Sequence, residues 1–136
     1  MEKDDRPKPE PNGDSLEFWE GIKSHQILVQ KCSSCGLLRF YPRILCPKCL
    51  SDQFNWIPCS GKGRIYSYTT IYRPPLPAFA EFVPYTIALI DLEEGIRILS
   101  QVEGNPDSIA IGVRVSVTFE DFWKKIALPK FRLADQ

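Results

Sequence analysis

Apolar and polar positions change rhythm twice along this chain. Residues 1–13 carry three prolines, one glycine and almost nothing apolar, so they cannot bury a face and are expected to form a disordered or draped arm. The next segment spaces Leu16, Phe18, Trp19 and Ile22 in helical fashion and predicts a short helix from about Ser15 to Lys23. Asp14 or Ser15 suits the N-cap, and Asp14 with Glu17 three residues on fits a capping box. A helix this short needs tertiary packing to persist.

From Gln26 the period drops towards two. Gln26 to Lys31 alternates and runs into Cys32; Phe54 to Cys59 is a second short strand. Beyond the Gly61-Lys62-Gly63 break the chain is strand-like throughout. Arg64 to Tyr72 is rich in β-branched and aromatic residues. Tyr85 to Leu92 and Ile96 to Val102 flank the turn Glu93-Glu94-Gly95. Val113 to Phe119 alternates, and Ile126 to Leu133 is the last strand, with Pro129 restricting it to an edge or a bulge. Five strands with glycine-marked bends fit a small closed barrel of the OB type. The expected organisation is an arm (1–13), a helical segment (14–25), a cysteine-bearing module (26–60) and a barrel (61–136). With 43 % hydrophobic residues the chain can build a core, and no apolar run is long enough to span a bilayer.

The cysteines change the picture most. Cys32, Cys35, Cys46 and Cys49 form two C-x2-C pairs ten residues apart. Each pair can form a knuckle that aims both sulfurs at one ion. Gly36 permits the positive φ of the first knuckle, and Pro47 stiffens the second. Four thiolates favour zinc in a closed, structural tetrahedral site, with a rubredoxin-type iron as the rival. Two disulfides do not suit a chain that starts without an apolar signal region and is expected in the cytoplasm. A redox C-x-x-C belongs at a helix start, and the surroundings here are strand-like. Cys59 is expected to be a core thiol.

Net charge is zero, but Lys31 to Arg73 holds seven basic residues and one acid, whereas Pro74 to Asp121 holds two basic residues and eight acids. The cationic third could receive phosphates or be a solvated face. The single histidine, His25, reads as a surface or capping residue. No nucleophile elbow, phosphate-binding loop or dinucleotide fingerprint is present, which favours binding or scaffolding over catalysis. Two features invite a partner: the Phe18-Trp19 helix beside the cationic module, and the proline-stiff apolar connection from Arg73 to Pro84, with Pro74, Pro75, Phe79 and Phe82 as docking candidates.

These residues, in this order, resemble a zinc-ribbon plus OB-fold family filed as domain of unknown function thirty-five. The resemblance runs through Phe18-Trp19-Glu20, Cys32, Cys35-Gly36, Tyr41-Pro42-Arg43, Cys46-Pro47, Cys49, Trp56, Gly61-x-Gly63, Tyr66, Pro84-Tyr85, Gly95, Gly112 and Pro129-x-Phe131. It implies a mainly β protein with a short N-terminal helix, a rubredoxin-like zinc ribbon and a five-stranded OB barrel. It further implies a non-catalytic accessory subunit of acyl-CoA enzymes, binding acyl-CoA between helix, ribbon and barrel. Thiolase-like and hydroxymethylglutaryl-CoA synthase-like enzymes would be its partners. On that expectation Phe18, Trp19 and Ile22 would line the pantetheine arm, and Arg39, Arg43 and Lys48 would hold the phosphates. The competing class is a single-stranded nucleic-acid binder, with Tyr66, Tyr68 and Tyr72 sharing one strand face as a stacking platform. An iron-bearing electron carrier is a third.

Overall fold

The computed structural model describes residues 6–123 and 126–135. Residues 1–5 of the expected arm, and Lys124 and Lys125 between the last two strands, lie outside the described residues. Among the described residues one α-helix, α1 (Leu16–Lys23), precedes eight strands: β1 (Ile27–Cys32), β2 (Leu38–Arg39), β3 (Phe54–Cys59), β4 (Lys62–Ile71), β5 (Tyr85–Leu92), β6 (Arg97–Glu103), β7 (Arg114–Trp123) and β8 (Ile126–Leu133). Among the described residues no helix is long and apolar enough to cross a membrane.

The ends of α1 are held by unexpected means. Ser15 occupies the N-cap, but its side chain caps nothing. Its hydroxyl bonds the Asn12 side-chain oxygen, which also accepts the backbone N–H of Asp14 and Ser15. The Asp14–Glu17 capping box does not form, because the helix starts one residue later and Asn12 satisfies the turn. At the other end Gln26 N–H donates to Gly21 O and His25 N–H to Ile22 O, with His25 at φ 61°. This is a Schellman motif in which His25 takes the left-handed position that glycine usually fills. The His25 ring stacks flat on Phe119, centroids 5.0 Å apart, with Nε2 3.0 Å from Asp121 Oδ1. The expected capping role of His25 thus holds.

β2, β1 and β3 form a three-stranded antiparallel sheet with β1 in the middle. The remaining strands close a barrel in the order β4-β5-β6-β8-β7, with β7 returning to β4. Inward positions alternate along β5, where Thr86, Ala88, Ile90 and Leu92 are buried. One apolar core joins all the parts: Phe18 and Ile22 from α1, Ile27 and Val29 from β1, and barrel residues such as Ile65, Ile90, Ile98 and Phe131. Gly61 marks the passage from sheet to barrel. Its φ is +79° and a Cβ there would lie 2.2 Å from Val117 Cγ1, so only glycine fits.

The even spacing of Tyr66, Tyr68 and Tyr72 does not put them on one face. β4 is bulged at Tyr66: Ile65 pairs with Ile90 and Ser67 with Leu89, so Tyr66 is skipped and the alternation reverses. Tyr68 then falls opposite Ala88, which is buried in the barrel, whereas Tyr66 lies under the Arg97 guanidinium, 3.5 Å from its ring centroid. Tyr72 follows the strand's end. The stacking platform expected of a nucleic-acid binder is therefore broken by one extra residue.

Candidate metal centre and ligand groove

The two cysteine knuckles are built alike. In the first, Cys32 N–H donates to Leu37 O, Gly36 N–H returns to Cys32 O, and Cys35 N–H points at Cys32 Sγ (3.5 Å). In the second, Cys46 N–H donates to Ser51 O and Leu50 N–H returns to Cys46 O. Gly36 takes φ +77° in the first; the equivalent residue in the second is Leu50, at φ +64°. The long central strand β1 and the Ser33 N–H to Gln53 O bond bring the knuckles face to face.

The four sulfurs of Cys32, Cys35, Cys46 and Cys49 all lie within 4.8 Å of one another. Cys32–Cys49 and Cys35–Cys46 are each 3.6 Å apart. Thiolates at ~2.3 Å from a tetrahedral ion sit about 3.8 Å apart, so the cluster has the dimensions of such a site. The electrostatics agree. The Cys35 backbone N–H pulls the Cys32 thiol down to about 6. At Cys49 the Ser51 N–H favours the thiolate, but the neighbouring sulfurs and burial outweigh it and push the thiol up to about 11. Four sulfurs this close cannot all ionise unless a cation shares them. Cys32 and Cys46 are buried and Cys49 is exposed, so the site is closed on its inner side.

Cys59 stands apart, half-buried, and burial together with nearby Glu94 raises its thiol to about 12. It is an inert thiol, as expected of a core position.

The second feature is a groove of about 420 Å³ where α1, the cysteine module and the barrel meet. Phe18 and Trp19 line it from the helix, and Phe40 and Tyr41 from the loop after β2; β6 and β8 form its barrel side. The aromatics brace one another: Phe18–Trp19 and Phe40–Tyr41 meet edge to face at 5.1 and 5.5 Å, and Phe18–Phe40 lie 5.3 Å apart. Among the described residues that line the groove the one charged side chain is Lys130, whose ammonium is 2.7 Å from Glu120. That pair and Arg6 hold the Glu120 carboxyl below its ordinary range against the opposing effect of burial.

The expected ligand residues divide. Phe18 and Trp19 are on the groove. Ile22 is not: it is fully buried in the core that α1 shares with β1 and the barrel. Arg43 and Lys48 are exposed. Arg39, expected as a phosphate ligand, lies inside the ribbon, and its buried Nη1 has no hydrogen-bond partner among the described residues. It is 5 % exposed; its Nε donates to Gln30 Oε1 (2.7 Å), its Nη2 to Arg43 O (3.1 Å), and it lies over the Phe54 ring. The docking candidates Pro74, Pro75 and Phe82 are exposed and Phe79 is half-buried against Tyr85. Arg6 stacks on Phe82 and reaches Glu120, so the arm drapes over this loop.

Sequence reasoning did not give roles to Gln30, Phe40, Leu99, Ser100 or Lys130. The Tyr41-Pro42-Arg43 and Pro129-x-Phe131 matches were the available signals for two walls of the groove.

A four-cysteine ribbon whose strands share a core with a closed five-stranded barrel defines a two-module metal-binding protein without a catalytic constellation among its described residues. Comparison with known families makes this specific. Residues 19–55 match the "ChsH2, rubredoxin-like zinc ribbon domain" and residues 56–120 the "ChsH2, C-terminal OB-fold domain". The chain belongs to this zinc-ribbon and OB-fold family. It is 36 % identical over 95 % of its length to a "Probable enoyl-CoA hydratase alpha subunit" of Thermomonospora curvata, of which it covers 40 %. It is 38 % identical over 78 % of its length to a "DUF35 domain-containing scaffold protein" of Methanothermobacter thermautotrophicus, covering 81 % of that chain. A "Benzoylsuccinyl-CoA thiolase subunit BbsA" of Geobacter metallireducens is 33 % identical over 65 % of this chain and is covered to 58 %. Among solved structures, one described as "Ltp2-ChsH2(DUF35) aldolase" superposes with a TM-score of 0.86 at 35 % identity, covering 94 % of this chain and 100 % of that one.

Proposed function

We propose that this chain is a zinc-bearing, non-catalytic accessory subunit that binds acyl-CoA in the groove and docks on a thiolase-type enzyme. The observation that carries the reading is the groove itself, with aromatic walls from helix and ribbon and a floor from the barrel. It suits an extended, largely neutral pantetheine arm. Exposed Arg43 and Lys48 lie on the same cationic module and are assigned to the phosphates of the nucleotide head. Relatives named as a thiolase subunit, a hydratase subunit and a scaffold support an enzyme partner.

Zinc held by Cys32, Cys35, Cys46 and Cys49 would have no open coordination position, so its role is to fold the ribbon. The partner surface is assigned to the exposed 73–84 connection around Pro74, Pro75 and Phe82, with Phe79 anchoring it.

Affinity purification of the tagged chain from its own cell extract, followed by mass spectrometry, tests the reading. A thiolase or hydroxymethylglutaryl-CoA synthase-type enzyme retained in near-equal amount supports it. Retention of nucleic acid and its binding proteins instead would overturn it. Metal analysis should find one zinc per chain; a visible ferric-thiolate absorption would replace zinc by iron.

A further inference from the structure

The four clustered sulfurs are alike as ligands but not as targets. Cys32 and Cys46 are 1 % and 0 % exposed, Cys35 is half-buried and Cys49 is exposed. The difference follows from where each residue sits. Cys32 ends β1 and pairs with Phe54 in the ladder of the small sheet. Cys49 belongs to the exposed run 47–50, in the loop between β2 and β3.

Each sulfur of the second knuckle also has a close neighbour in the first. Cys49 Sγ lies 3.6 Å from Cys32 Sγ, and Cys46 Sγ lies 3.6 Å from Cys35 Sγ. Disulfide sulfurs are about 2.0 Å apart, so either pair has to close by roughly 1.5 Å. Proximity does not choose between the pairs; access does. An oxidant arriving from solvent meets Cys49 first, and the neighbour poised against Cys49 is the buried Cys32.

We infer that the metal centre is also a peroxide-sensitive switch, entered at Cys49 and closed by Cys32; this rests on the metal reading above. The Cys49 thiolate attacks one oxygen of hydrogen peroxide, the O–O bond breaks, hydroxide leaves, and Cys49 becomes a sulfenic acid. The Cys32 thiolate then attacks the Cys49 sulfur. The S–O bond breaks, a second hydroxide leaves, and the Cys32–Cys49 disulfide forms. The two thiolates lose two electrons in all, and the peroxide takes them up. Cys35 and Cys46 are then half of a tetrahedral ligand set and cannot hold the ion. Cys59 is not one of the clustered sulfurs and serves as an internal reference.

The consequence reaches the groove. Phe40 and Tyr41 line it from the segment between the two knuckles, and Phe40 lies 5.3 Å from Phe18. Loss of the ion frees that segment, so oxidation dismantles the ribbon side of the groove. A thiol reductant with added zinc reverses the change, because sulfenic acid and disulfide are both reducible.

The test uses the full metal-loaded chain, its metal content measured beforehand, with hydrogen peroxide as oxidant. A chromophoric chelator follows zinc release (for an iron-loaded chain, loss of visible absorption does). Dimedone traps sulfenic acid in parallel samples, and mass spectrometry maps the bridges. The expected result is one ion released per peroxide consumed, dimedone on Cys49, a Cys32–Cys49 disulfide and a reduced Cys59. Near-UV circular dichroism of the aromatic cluster should fall in step and return with dithiothreitol and zinc. Cys49→His keeps four ligands and should slow release at least about tenfold, whereas Cys35→His should change it less than about twofold. Dimedone on Cys35, a Cys35–Cys46 disulfide formed first, or release from Cys49→His at the wild-type rate overturns the assignment of Cys49. Zinc retained through millimolar peroxide overturns the switch and leaves the structural metal standing. If metal analysis finds no ion at the outset, the metal reading and the switch fall together.

Discussion

Gln30 Oε1 accepts the Arg39 Nε–H at 2.7 Å inside the ribbon, and the same oxygen accepts the Arg43 N–H at 2.8 Å. One amide, 1 % exposed on the central strand, therefore orients a buried guanidinium and pins the loop that leads to the second knuckle. Gln30→Leu leaves both donors without an acceptor and should destabilise the zinc-loaded protein by about 3 kcal/mol. Urea unfolding checks this. Arg39→Ala should be similarly damaging, so loss of ligand binding in that variant reports a disturbed ribbon and not a lost phosphate contact.

Arg43 and Lys48 are the residues for testing the nucleotide head. Arg43→Ala and Lys48→Ala should leave urea midpoints unchanged, because both side chains are exposed. Each should weaken CoA binding roughly fivefold and leave pantetheine affinity untouched. Calorimetry at two salt concentrations measures both effects, and equal losses for CoA and pantetheine would refute the assignment.

Leu50 sits at φ +64° where the first knuckle has Gly36 at +77°. A non-glycine residue there costs about 1–2 kcal/mol. Leu50 is 72 % exposed and gives up little packing on truncation. Leu50→Gly should therefore stabilise the ribbon by about 1 kcal/mol, and Gly36→Leu should destabilise it by at least as much. Thermal unfolding at fixed zinc measures both.

Removal of the metal should act on the same region first. Chelation is expected to unfold the knuckles and loosen α1, because Phe18 and Ile22 share a core with β1. Ligand thiols must be deprotonated, so apparent zinc affinity should fall as pH falls. A competition titration across pH reads this directly.

His25 contributes through two opposed effects. Its flat stack on Phe119 is worth about 0.5–1.5 kcal/mol, and its left-handed backbone costs about 1 kcal/mol. The exposed pair with Asp121 adds little. His25→Ala loses the stack and keeps the strain; His25→Gly loses both. The glycine variant should be the more stable of the two by about 1 kcal/mol in chemical denaturation.

The parts of this protein written in local pattern are legible in the amino-acid sequence alone. The knuckles follow from C-x2-C and Gly36, since each is closed by bonds between residues a few positions apart. β5 spans the expected Tyr85–Leu92, and β8 the expected Ile126–Leu133, because period-two alternation and flanking turns set their limits. The aromatic helix and the closed barrel are legible for the same reason. What only the tertiary structure decided depends on pairing between distant residues. Arg39 and Arg43 look alike along the chain, but Gln30, on a neighbouring strand, draws one inside and leaves the other in water. Tyr66 and Tyr68 share a parity in sequence that a bulge against β5 reverses. Pro129 announces an irregular strand, but only the parallel placement of β8 beside β6 sets its carbonyl on the Ser100 hydroxyl, because a pairing belongs to two strands at once.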